Sequence, residues 1–193
     1  MFALDDEQGL IAQRTGGGRI RVYVALKTSE DWVVSDIIAG GGDETGHHLL
    51  NLFSDWDDVL RALIADSDDR LAPRPIYALP VGHRWDRVAG VALLGDAAHL
   101  MSPFAGAGAN LAMLDGAELA RAVAEHDDLD VALTAYETAL FTRSEAAAAE
   151  SAENLIAFFQ PNALQTMIER FAAMEAGTAS EMDADERTEP ASR

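Results

Sequence analysis

The chain has 193 residues, enough for one substantial core or two small ones. Hydrophobic residues at 49% and charged residues at 24% give a globular composition, and a net charge of −19 argues against nucleic acid and anionic membrane surfaces as partners. With no cysteine, disulfides, thiolate metal sites and Cys nucleophiles are excluded. The opening MFALDDEQGL lacks a basic region followed by an apolar run, so no signal peptide is expected. No stretch approaches the ~20 apolar residues of a membrane-spanning helix, and a cytoplasmic location is the expectation.

In chain order, Gly9–Arg14 and Arg19–Leu26 predict two strands of a hairpin. Ile20, Val22, Val24 and Leu26 alternate with the residues between them, and Thr15-Gly16-Gly17-Gly18 suits the turn. Gly40-Gly41-Gly42 reads as a loop beside His47 and His48, which are expected to face solvent. Asp55–Asp66 has apolar residues at helical spacing and acids at its start. Pro73 and Pro75 break any helix, and Ile76–Val81 reads as another strand. Val88–Leu94 is almost wholly apolar, as in a strand buried on both faces of a parallel sheet. Helices follow over Ala107–Ala124, Asp130–Phe159 and Asn162–Ala176, and Leu133, Tyr136 and Leu140 share one face of the second. From Gly177 the composition turns small, polar and charged, which reads as a disordered tail.

The chemistry concentrates between Gly95 and Asn110. Gly95 and Asp96 follow the apolar run, where α/β proteins place ligands, and the Asp96 carboxylate can accept hydrogen bonds from a polyol. Pro103 fixes the chain ahead of a turn. Gly106 and Gly108, flanking Ala107, remove side chains where backbone must approach something flat or bulky. The helix through Ala109 and Asn110 then offers unpaired N–H groups to a ligand atom carrying negative charge. A phosphate-sugar ligand or a flavin fits this set. A plain strand–loop–helix turn, in which Asp96 only caps a backbone group, remains the alternative on residues alone. His99, three residues after Asp96, has no third ligand nearby and reads as structural or ligand-adjacent rather than metal-binding, so no metal site is expected. No GxSxG is present, which disfavours a hydrolase.

GDAAH at Gly95–His99 followed by PFAGAGANLAMLDGAELA at Pro103–Ala120 resembles the second flavin-binding motif of class A flavoprotein monooxygenases, the para-hydroxybenzoate hydroxylase-like enzymes. The wording is most similar to their tetracycline-inactivating branch, and both flanks agree up to about Ala176. The resemblance implies an α/β fold: a partial Rossmann-type FAD-binding domain, part of an antiparallel β-sheet substrate domain, and a C-terminal helical segment. Its boundaries would be 1–85 for the substrate sheet, 86–126 for the FAD-binding part, 127–176 for the helices and 177–193 for the tail. It implies FAD as cofactor, with Gly95 and Asp96 at the ribityl chain and Pro103, Gly106, Ala107, Gly108, Ala109 and Asn110 against the ring. It also implies NADPH or NADH as reductant, O2 as co-substrate, and an aromatic or polycyclic small molecule that receives one oxygen.

Two features depart from the family. Ala107 stands where many relatives carry Gln or Glu, which costs little if only backbone is used there. More seriously, no GxGxxG for the FAD pyrophosphate is present, and Asp115-Gly116 lies within a helix and does not replace the family's middle Asp-Gly motif. The expectation is therefore an N-terminally truncated enzyme. The alternative is a non-catalytic or split module that needs a separate FAD-binding half.

Overall fold

A computed structural model describes residues 1–29, 42–68, 71–169 and 172–173. The architecture is mixed, helices with an antiparallel sheet, as the sequence implied. Two compact units divide it, one of Met1–Pro73 with Ala157–Arg193, the other of Arg74–Ile156. No helix among the described residues is long and apolar enough to cross a membrane.

The first unit is built on a three-stranded sheet: β1 (Phe2–Asp5), β2 (Gln8–Arg14) and β3 (Ile20–Leu26), antiparallel in the order β1-β2-β3. The expected hairpin is β2–β3, paired from Gln8↔Leu26 to Arg14↔Ile20 around a 3-10 turn at Gly16–Gly18. The four residues of β1 were too few for alternation to reveal them. Two helices follow, α1 (Gly42–Leu52) and α2 (Asp58–Ala65). Gly40 and Gly41 of the expected loop lie outside the described residues, and Gly42 opens α1, a helix the sequence reading missed. His47 and His48 are exposed on it. The Asp57 carboxylate caps α2 by accepting from Val59 N–H at 2.8 Å. Leu10 from the sheet, Leu49 and Phe53 from the α1 end, and Ile64 from α2 form the buried cluster, with Val22, Val24, Leu60 and Trp56 packed around it.

The second unit holds the one-turn helix α3 (Asp96–His99), α4 (Gly108–Glu125) and most of the long helix α5 (Leu129–Phe159). Ala98, Ala122, Ala132, Tyr136 and Leu140 form its core, with Trp85, Leu93, Leu119 and Phe141 packed on. Residues 84–87 run against α5 in the opposite sense. Arg84 pairs with Glu145 at 2.9 Å, Trp85 Nε1–H donates to Glu137 Oε1 at 3.2 Å, and Arg87 pairs with Asp130. The Tyr136 hydroxyl donates to the Leu93 carbonyl at 3.0 Å.

Two expected strands are not formed. Val88–Leu94 turns at Ala89-Gly90, where Val91 N–H reaches back to Val88 O at 3.1 Å, and no strand pairs with it among the described residues. Its apolar character is not matched by burial, since Val88, Val91 and Leu94 are exposed. In residues 76–81 Leu79 N–H donates to Leu100 O at 2.8 Å, and Pro80, which has no N–H, is followed by a turn closed by His83 N–H on Pro80 O. Of the expected last helix, residues 163–169 are helical. The tail from Gly177 lies outside the described residues.

Phe53 is fully buried at the centre of the first unit's cluster. Phe53→Ala is expected to cost about 3–5 kcal/mol through lost burial and a residual cavity. Val59→Ala, at a side chain 77% exposed, is expected to cost under about 0.5 kcal/mol. Urea unfolding followed by circular dichroism checks both.

Candidate functional site

Gly95 sets up the site. Its backbone, at φ 59° and ψ −142°, is one that L side chains rarely adopt, and an added Cβ would stand 3.3 Å from Ala112 Cβ of α4. The Gly95 carbonyl accepts from both Ala98 N–H (2.9 Å) and His99 N–H (3.0 Å), and Asp96 O accepts from Leu100 N–H (3.1 Å). These bonds close α3, whose first residue, Asp96, is exposed and whose last two, Ala98 and His99, are buried.

Beyond α3 the chain makes a second turn. Pro103 starts a 3-10 turn to Ala105, closed by Gly106 N–H on Pro103 O at 3.0 Å. Gly106 takes the left-handed conformation at φ 64°, and Ala107 leads into α4. A Cβ added at Gly106 or Gly108 would meet nothing within 4 Å. Both glycines therefore border open space rather than packed protein. No side chain caps the start of α4, so its first amides are left to solvent or a ligand. Ala109 and Asn110 are exposed beside them. Asp96, Pro103, Gly106, Ala109 and Asn110 are thus each exposed along one open stretch of chain.

Linked to this stretch is a polar network the sequence reading missed. Asp115, in the middle of α4, is completely buried. Its Oδ2 accepts from Gly95 N–H at 2.9 Å and lies 2.6 Å from His99 Nε2; its Oδ1 accepts from Arg143 Nη2 at 2.8 Å. Burial alone would raise the Asp115 carboxyl, but the hydrogen bonds from Arg143, Gly95 and His99 outweigh it and hold it below the ordinary value. A carboxylate only accepts, so Nε2 of His99 carries the hydrogen of that contact. His99 is therefore buried on Asp115, whereas Asp96 is at the surface, and the two do not make a metal pair. Burial and then the Asp115 charge push the nearby Tyr136 phenol upward.

The loop between α3 and α4 is pinned from α5. Ser102 and Ser151 bond reciprocally, Ser102 Oγ to Ser151 O at 3.1 Å and Ser151 Oγ to Ser102 O at 2.6 Å, both residues buried. Asn154 Nδ2 donates to Phe104 O at 3.2 Å. One signal for the network was available. Asp115 shares the helix stripe of Leu111, Leu119 and Ala122, and a carboxylate at a core position requires partners. Met113, on the same helix, is exposed.

Residues 64–151 match the family model for the FAD binding domain, a span that includes every residue of the open stretch and all of the Asp115 network. The chain is thus similar to the FAD binding domain over these residues and to curated monooxygenases along more of its length. In particular, the chain is 30% identical over 202 residues to monooxygenase penA of Penicillium thymicola, across 81% of this chain and 47% of that protein. It is 33% identical over 137 residues to monooxygenase asqM of Emericella nidulans, across 58% and 31%. Zeaxanthin epoxidase of Solanum lycopersicum is 32% identical over 121 residues, across 61% and 17%. Among solved structures, Klebsiella pneumoniae HpxO complexed with FAD and uric acid superposes with a TM-score of 0.69 at 22% identity. That match, over 89% of this chain and 42% of HpxO, is one of fold. The chain spans less than half the length of each of these relatives.

The lowered Asp115 carboxyl makes stability depend on pH in a fixed direction. A carboxyl whose folded value lies below its unfolded value of 3.8 stabilises the fold fully above that pH, and the contribution disappears as pH falls through the folded value. Asp115→Asn is expected to cost roughly 3 kcal/mol at pH 7, because Arg143 loses its counter-charge. The gap to the unsubstituted chain should hold from about pH 7 to about pH 5 and narrow below about pH 4. Unfolding measured across that pH range checks it.

Proposed function

We propose that this chain supplies the ring and ribityl side of an FAD site in a monooxygenase that uses NADPH or NADH and O2 to hydroxylate an aromatic or polycyclic small molecule. The observation that carries the reading is the open stretch itself: an exposed carboxylate, two glycines facing open space and an uncapped helix start, within sixteen residues of chain. Asp96, set by Gly95, would accept from ribityl hydroxyls. Pro103 and the backbone of Gly106, Ala107, Gly108, Ala109 and Asn110 would lie against the ring. The first amides of α4 would stabilise negative charge there. FAD held there would supply the two-electron redox chemistry that such a hydroxylation needs. The protein's part is to orient the ring and keep the turn around Asp96 rigid.

The aromatic or polycyclic substrate class rests on the resemblance to the tetracycline-inactivating branch, and on the solved neighbour complexed with FAD and uric acid. Strands β1–β3 would belong to the substrate region, and residues 86–126 to the FAD-binding part. A second reading has the chain act as a module completed by a separate half bearing the pyrophosphate grip. It is favoured by the exposed apolar side chains of Val88, Val91, Leu94, Met113 and Leu114 in the second unit.

Titration of the purified chain with FAD, read by flavin fluorescence and unfolding temperature, tests the proposal. Stoichiometric binding with a raised unfolding temperature is expected. Asp96→Ala should weaken binding about tenfold or more, since it removes hydrogen bonds to a charged acceptor. A folded chain that binds no FAD would sink the stand-alone reading. Binding restored by an added GxGxxG-bearing polypeptide would favour the completed module.

A further inference from the structure

One carboxylate oxygen holds both ends of the turn that presents Asp96. Asp115 Oδ2 accepts from the N–H of Gly95, immediately before α3, at 2.9 Å. The same oxygen lies 2.6 Å from Nε2 of His99, the last residue of α3. Asp115 is itself fixed from the other side by Arg143 of α5, through Oδ1 at 2.8 Å. Asp115 is fully buried and the Arg143 side chain is 22% exposed, so neither end of the pair moves freely in water. Between its two anchored ends, α3 has four residues, and Asp96, the first of them, is exposed.

A four-residue helix has little stability of its own, because nucleating a turn fixes several dihedrals for very few hydrogen bonds. Gly95 adds to the difficulty, since a glycine in an unusual conformation forfeits much chain entropy on ordering. The tertiary bonds to Asp115 are what select this turn from the alternatives. α5 holds the next loop as well, at Ser151 on Ser102 and Asn154 on Phe104, so Arg143, Ser151 and Asn154 act along one helix on successive parts of the 95–106 segment.

We propose that Asp115 is a positioning residue of the flavin site: it touches no ligand, but by clamping Gly95 and His99 to a helix fixed by Arg143 it sets the place of the Asp96 carboxylate. The inference rests on the reading of Asp96 as a ribityl-binding residue, and it adds a residue that acts only through Asp96.

Two measurements on the full chain test it. The first is amide hydrogen exchange, which needs no flavin. In Asp115→Asn, the amides of Gly95, Ala98, His99 and Leu100 should exchange faster by about tenfold or more, while those of β2 keep their protection. Unchanged exchange over residues 95–100, or uniform acceleration along the chain, would overturn the clamp. Where Asp115→Asn does not fold, His99→Leu removes one tie without adding bulk and should give the same local acceleration. The second is a double-mutant cycle on the FAD dissociation constant. Asp115→Asn and Asp96→Ala should each weaken FAD by about tenfold, and the double variant should bind no worse than Asp96→Ala alone to within about threefold. Fully multiplicative losses would show that Asp115 does not act through Asp96. An unsubstituted chain that binds no FAD would remove the flavin reading by itself, and the exchange experiment would still decide whether Asp115 holds the turn.

Discussion

A carboxylate taken out of water persists only where fixed donors replace its hydration, and Asp115 meets three of them. Arg143 brings the charge, Gly95 a backbone amide and His99 a ring nitrogen. Removing any one leaves buried charge or a buried donor uncompensated, which costs more than a pair of that kind contributes when intact. The interaction therefore acts less as a source of net stability than as a specification. Helices α3, α4 and α5 satisfy it in one arrangement.

The rest of the second unit is consistent with that arrangement. Its core is small-residue packing, Ala98, Ala122 and Ala132 with Tyr136 and Leu140, which lets helices approach closely but offers few large side chains to lock their register. Polar ties take over that role. Trp85 on Glu137, Tyr136 on the Leu93 carbonyl, and the Ser102–Ser151 pair each fix an otherwise irregular segment to α5. The loop segments make few backbone ladders of their own, so side chains satisfy their amides and carbonyls.

What could be read from the sequence followed the strength of the local signal. The β2–β3 hairpin and α2 have clear periodicity, α4 and α5 are long runs rich in Ala and Leu, and all were placed within a few residues. The residues of the open stretch were singled out by type, an acid, a proline and two glycines close together before a helix. Val88–Leu94 misled because composition reports what a segment favours, and pairing needs a neighbouring strand that the described residues do not provide. α1 carries two glycines and several polar residues in a short helix, so its pattern was weak. Asp115 was seen but treated as a failed motif. Its partners lie twenty residues before it at Gly95 and twenty-eight after it at Arg143, and no local pattern connects positions that far apart.

The open start of α4 has one more consequence. A helix end is usually easy to close by mutation, since Ser, Thr, Asp or Asn at the capping position folds back onto the free amides and stabilises the helix by about 1 kcal/mol. Selection for stability alone would favour such changes. Here the residue at that position, Ala107, has helical backbone angles, φ −91° and ψ −23°, rather than the extended ones from which a side chain reaches back. A single substitution at 107 would thus lack the geometry to plug the amides unless the preceding turn also rearranged. The uncapped helix tip belongs to the path of the main chain more than to the identity of one residue, so a change at 107 alone leaves it uncapped.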